Sequence, residues 1–133
     1  MKTQVRFSSK LFPERPGESE EINPGIFGKA LAEFLRVRLE VSGFKVKEFV
    51  TEDWGLLLVL ENANFPLWVA CANEYGQTER FLCFIEPYNP RIWRWFRSVD
   101  TTVEVGALQN ALAEIFRLEK GIGEVVWQVA TRR

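Results

Sequence analysis

The chain predicts an α+β domain: an antiparallel sheet of about four to six strands, packed by two long helices, with a short amphipathic helix near residues 90–99. Three observations carry this expectation. Between residues 44 and 86, apolar residues follow a strand pattern, and the turns between the runs are too short for anything but hairpins. Near 24–42 and 102–120 the period becomes helical, and Gly43 and Gly121 supply stops. At 133 residues, 47% hydrophobic and 14% aromatic, the chain has the length of one domain and ample material for its core.

Gln4 to Phe7 reads as a first strand. The stretch from 8 to 23 holds Pro13, Pro16, Gly17 and several glutamates, and reads as an exposed loop whose acidity marks a solvated surface. Asn23 followed by Pro24 has the grammar of an N-cap and a first helical position, which starts the 24–42 helix. On its wheel Phe27, Ala30, Leu31, Phe34, Leu35, Val37, Leu39 and Val41 sweep an apolar arc, opposite Lys29, Glu33, Arg36 and Glu40. Arg38 falls inside that arc. A bare guanidinium there is costly, so Arg38 is expected to snorkel past the helix end or to meet a carboxylate.

The meander follows as runs 44–51, 54–61, 65–73 and 80–86. The Leu56–Leu60 run lacks polar alternation and predicts an inner strand with little water on either side. A hairpin turn at 74–79 directs Cys71 and Cys83 to the same face of adjacent strands, where they read as buried thiols. Asn89 and Pro90 repeat the earlier helix-starting grammar. Wound at about 100° per residue, the next segment gathers Arg91, Arg94 and Arg97 on one face and Ile92, Trp93, Trp95, Phe96 and Val99 on the other. The rings are expected to bury against the sheet. Thr101-Thr102-Val103-Glu104 has capping-box spacing ahead of the second long helix. Gly121 to Gly123 ends it, Glu124 to Ala130 reads as a last strand, and Arg132 and Arg133 close the tail.

Composition closes several functions. Histidine is absent, which removes imidazole bases, Ser-His or Cys-His nucleophiles and imidazole metal ligands. Two cysteines do not make a structural zinc site, so no metal and no cofactor is called for. With 17 basic and 18 acidic residues the net charge is −1, and no global field draws the chain to nucleic acid or anionic lipid. The N-terminus lacks a signal-peptide core and no apolar run is long enough to span a bilayer, so a soluble, cytoplasmic protein is expected. Ser42-x-x-Lys45 straddles a helix end and Gly121-x-Gly123 follows a helix, so neither is read as a catalytic or phosphate-binding motif.

Two groups of residues remain as candidate sites. Arg91, Arg94 and Arg97 offer a guanidinium face for an acidic protein partner, phosphates or an anionic surface. Glu52 and Asp53 sit at a hairpin tip beside Trp54, and with Glu86 and Arg38 could form a carboxylate pocket with an anion clamp. The plainer reading makes Asp53 a turn residue and Trp54 a core anchor. The Asn23-Pro24-Gly25 helix start, the Ser42-Gly43-Phe44 helix end, Glu52-Asp53-Trp54-Gly55 and Phe84-Ile85-Glu86-Pro87 together resemble a group of small uncharacterised bacterial proteins. That resemblance implies a single-domain bacterial protein and carries no activity, cofactor or catalytic residue. The leading expectation is a non-enzymatic protein-interaction module, chaperone-like or immunity-protein-like, that binds a protein partner through the arginine segment. A small-ligand protein or enzyme using the carboxylate pocket, and nucleic-acid binding through the arginine stripe, are the alternatives. Homodimerisation stays open.

Overall fold

A computed structural model describes residues 1–130. The elements in chain order are β1 (Lys2–Ser9), α1 (Glu18–Glu21), α2 (Lys29–Val41), β2 (Val46–Glu52), β3 (Gly55–Leu60), β4 (Leu67–Asn73), β5 (Arg80–Glu86), β6 (Arg91–Arg94), β7 (Arg97–Asp100), α3 (Thr102–Leu118) and β8 (Ile122–Val129). Six strands form one antiparallel sheet in the order β2-β3-β4-β5-β1-β8. The meander is therefore as expected, and β1 is inserted between its last strand and β8. Arg132 and Arg133 of the tail lie outside the described residues.

Strand alternation divides the sheet into two unlike faces. Val5, Phe7, Leu58, Val69, Cys71, Phe81, Cys83 and Ile85 point to one side and are buried. There α2 packs over β2, β3 and β4, while α3 packs over β1, β5 and β8. Leu31, Leu35 and Leu39 from α2, and Val105, Leu108, Leu112 and Phe116 from α3, complete this core. Phe7 is its aromatic centre, with ring centroids 5.7 Å from Phe81 and 4.8 Å from Phe116. Among the described residues no helix covers the other face, on which Arg6, Trp68, Ala70, Ala72, Leu82 and Phe84 lie. Cys71 and Cys83 are directly opposite on β4 and β5, free and fully buried.

Four expectations need correction. The first long helix begins at Lys29, not Pro24: Asn23 to Ile26 form a turn closed by the Ile26 amide donating to the Asn23 carbonyl at 3.0 Å. Gly25 takes φ 80°, which a continuing helix does not allow. Val37 and Val41 are exposed, so the apolar arc of α2 is narrower than its wheel implies. The 90–99 segment is not a helix but the two-stranded hairpin β6–β7. The capping box does not form either. The Asp100 carboxylate accepts the Thr102 amide at 2.7 Å, whereas Thr101 donates its hydroxyl to the Asn89 carbonyl and Glu104 accepts from Asn64.

The 8–23 segment is tied down more firmly than its composition implies. Phe12 enters the core, and Glu18 is 3% exposed. One carboxylate oxygen of Glu18 accepts the Gly28 amide at 2.7 Å and the Lys29 amide at 2.8 Å; the other accepts the Arg15 amide at 3.0 Å. A negative charge is thus placed on the first free amides of α2, where the helix dipole favours it. This carboxylate does the work that no side chain of the adjacent Gly28 can do.

Candidate functional site

The arginine-rich segment projects as the β6–β7 hairpin, with Arg91 opposite Asp100, Ile92 opposite Val99, Trp93 opposite Ser98 and Arg94 opposite Arg97. Opposite residues share a face, so the three arginines do not form one stripe. Arg94 and Arg97 lie together on the face whose base, Ile92 and Val99, packs on the core; Arg91 lies on the reverse with Trp93. Arg91 donates to the Ser98 hydroxyl at 2.8 Å and stands 3.8 Å from Asp100. The two hydrogen bonds from Thr102 hold the Asp100 carboxyl below the usual carboxylate range, with Arg91 adding to the effect.

Trp95 and Phe96 form the two-residue turn, at φ 53° and 62°. Such a turn between two strands normally takes Asn-Gly, because both central residues need the left-handed region. Bulky rings are outliers there. The expected burial of the rings is also absent: Trp93 is 73% exposed, Trp95 75% and Phe96 93%. The Arg94 guanidinium lies 5.4 Å from the Trp95 ring centroid, the reach of a cation–π contact. The tip therefore presents three rings and adjacent guanidinium groups to solvent on a short, hydrogen-bonded element. Thr101 anchors its base, its amide donating to the Pro90 carbonyl at 3.0 Å.

A concave feature lies on the uncovered sheet face. Its floor is Ala72 of β4 with Leu82 and Phe84 of β5; its walls are Trp54 from the β2–β3 turn, Tyr75 from the β4–β5 turn and Ile26 from the loop before α2. Hydrogen bonds join the three connections. The buried Asn73 side chain accepts the Phe27 amide at 2.9 Å and donates to the carbonyls of Gly25 and Gln77, both at 2.8 Å. Asn23 donates to the Asp53 carbonyl at 2.8 Å. The Asn-Pro-Gly and Glu-Asp-Trp-Gly segments, far apart in sequence, thus meet at one rim. Gly55 makes this possible, since a Cβ on it would stand 2.5 Å from the Cys71 carbonyl oxygen.

The carboxylate pocket expected from sequence is dispersed. Arg38 belongs to α2, on the covered side of the sheet, where it pairs with Glu119 at 3.1 Å and lies 5.0 Å from the Phe34 ring centroid. The sheet separates it from Glu86, which is on the open face beside Trp68. Glu52 and Asp53 are at the other end of the strands, by the β2–β3 turn. Among the described residues no group of three His, Cys, Asp or Glu side chains could hold a metal ion.

Trp54 does not anchor the helix-covered core. It is 39% exposed on the open face, its ring centroid 5.3 Å from Phe84, and Trp68 flanks Phe84 at 6.3 Å. Sequence reading passed over Tyr75, which is 79% exposed at the groove edge. A tyrosine in a polar turn, Glu74-Tyr75-Gly76, is the signal that could have flagged it. No helix among the described residues is long and apolar enough to cross a membrane. Compared with protein-family models, curated proteins and solved structures, the chain matches none.

Proposed function

We propose that the protein is a non-enzymatic protein-interaction module and that the β6–β7 hairpin is its contact element. The observation that carries this is the pair of aromatic residues at left-handed turn positions, both exposed, where a hairpin is better served by Asn-Gly. Strained residues of this kind cluster at ligand clamps, and their cost persists only against some other gain. Tryptophan and arginine are also the residues that dominate binding energy at protein interfaces. Trp93, Trp95 and Phe96 would enter an apolar pocket of the partner, with Arg91, Arg94 and Arg97 facing carboxylates around its rim.

The test uses immobilised full-length protein, a lysate of the source organism, and two variants. One carries Trp95→Asn with Phe96→Gly; the other replaces Arg91, Arg94 and Arg97 with glutamate. A partner captured by the wild type, identified and purified, is expected to lose at least tenfold in affinity with either variant, about 1.4 kcal/mol. Equal affinity for all three proteins refutes the reading. So does binding to vesicles rich in anionic lipid with no protein captured, since rings beside arginines also suit a lipid interface.

A further inference from the structure

We propose that the groove on the uncovered sheet face is a binding site for a small, neutral, planar apolar molecule. It is independent of the hairpin: the groove is built from β1, β4, β5 and three loops at one end of the sheet, and none of its lining residues belongs to the hairpin. Its volume, about 420 Å³, falls within the range of small-molecule sites. The size comes from the sequence, because Ala72 places only a methyl group on the floor where the neighbouring strand β5 carries Leu82 and Phe84.

Flatness of the ligand is inferred from the walls. The Trp54 ring leans on Phe84 at an interplanar angle of 39°, forming one aromatic side. Tyr75 forms the other and lies against Gly25, with a ring carbon 3.9 Å from where a Cβ would stand. An inserted ring meets aromatic surface from Trp54, Phe84 and Tyr75, and aromatic pairs favour offset or edge-on contacts. The walls are already in place without the ligand, because Asn73 and Asn23 fasten the three loops to one another. Little ordering cost then falls on binding.

Neutrality is inferred from the charges. The lining contains one cation and one anion, Arg6 and Glu74, and these are paired to each other. Arg80 adds a second guanidinium on Glu74 at 3.5 Å and is itself held by Glu124 at 2.7 Å. The polar edge is therefore self-compensated, and a charged ligand would have to break a pair to find a partner. A neutral ligand with one hydrogen-bonding edge need not.

Nile red, a neutral planar dye, serves as the probe, with the anionic anilinonaphthalene sulfonate for comparison. The wild type is expected to bind Nile red at one site with micromolar affinity, and the sulfonate at least tenfold more weakly. Tyr75→Ala, at a position exposed enough to leave the fold intact, is expected to weaken Nile red about three- to tenfold; Tyr75→Phe restores binding. Replacing Trp93 and Trp95 with Asn and Phe96 with Gly leaves it unchanged. The proposal is overturned if the dye signal follows the hairpin rings, or if Tyr75→Ala binds as the wild type does. It is also overturned if the sulfonate binds better, or if affinity falls with protein concentration as a dimer covers the groove.

Discussion

Replacing Trp95 with Asn and Phe96 with Gly is expected to stabilise the protein while it removes the contact element. In the left-handed region Cβ crowds the following carbonyl oxygen, at roughly 1–2 kcal/mol per residue. With Trp95 at φ 53° and Phe96 at φ 62°, the turn holds about 2–4 kcal/mol of backbone strain. Asn reduces that cost and Gly escapes it. Against the gain stand the conformational entropy of the new glycine, roughly 0.5–1 kcal/mol, and the lost Arg94–Trp95 contact, about 0.5–1 kcal/mol at an exposed site. Almost no burial is forfeited, since the rings are 75% and 93% exposed. The balance is a gain between zero and about 3 kcal/mol, centred on about 1–2 kcal/mol. Urea unfolding should show a raised midpoint at unchanged slope. Amide exchange in residues 91–100 reports on the hairpin even if it opens separately from the sheet, and should slow about five- to thirtyfold. A double variant that unfolds more easily, or whose hairpin exchanges faster, would refute the reasoning: the rings would then be packing against something.

Glu18→Ala removes the acceptor of three backbone amides, of which only Gly28 is buried, so a loss of about 2–4 kcal/mol is expected by urea unfolding; a change under half a kilocalorie would show that the cap is idle. Gly55→Ala forces a Cβ to 2.5 Å from a carbonyl oxygen and should cost about 2–3 kcal/mol or more, whereas Gly76→Ala, with nothing within 4 Å, should cost only the left-handed penalty of about 1–2 kcal/mol. Matching losses at the two sites would contradict the close approach of the β2–β3 turn to β4. Burial raises the pKa of both thiols above the usual range, with Glu18 adding to the effect at Cys71 and Cys71 adding to it at Cys83. Above the unfolded thiol pKa, roughly 8.5, the unfolded chain releases protons that the folded chain keeps, so stability falls as pH rises. A Cys71→Ala, Cys83→Ala variant should lose that alkaline slope between pH 8 and 10 while starting from a lower melting temperature; an unaltered slope would mean that other groups cause it.

The meander was legible because its apolar runs, Leu56 to Leu60 and Leu67 to Asn73 among them, have strand length and are separated by turns too short for anything but hairpins. That Cys71 and Cys83 share a face followed from their odd numbering across the 74–79 turn, whereas their direct opposition is a matter of register. The 90–99 hairpin was not legible. Its arginines recur every third residue, as on a helix, and its turn is made by Trp95 and Phe96, which carry no turn signal. The β-favouring residues Ile92, Trp93 and Val99 were the contrary sign. Glu18 was misread with the loop around it, because a carboxylate capping amides ten and eleven residues away leaves no local spacing to recognise. The groove joins loops at 23–26, 53–55 and 74–77 through Asn23 and Asn73, a meeting that only the sheet register determines. Arg38 behaved as its place on the wheel implied, reaching Glu119 at the end of α3.

The position of β1 has a consequence in time. It is the fifth strand across the sheet, pairing through Ser8 with Arg80 and through Ser9 with Ile122. A chain emerging from the ribosome presents this strand before either of its neighbours. The β2–β5 meander closes locally, each strand folding onto the one just made, while β1 waits unpaired for β5 and then, on its other side, for β8. Closing those long loops, more than forming the helices, should set the folding rate. Throughout that interval β1 is an unpaired apolar strand, open to association with other chains.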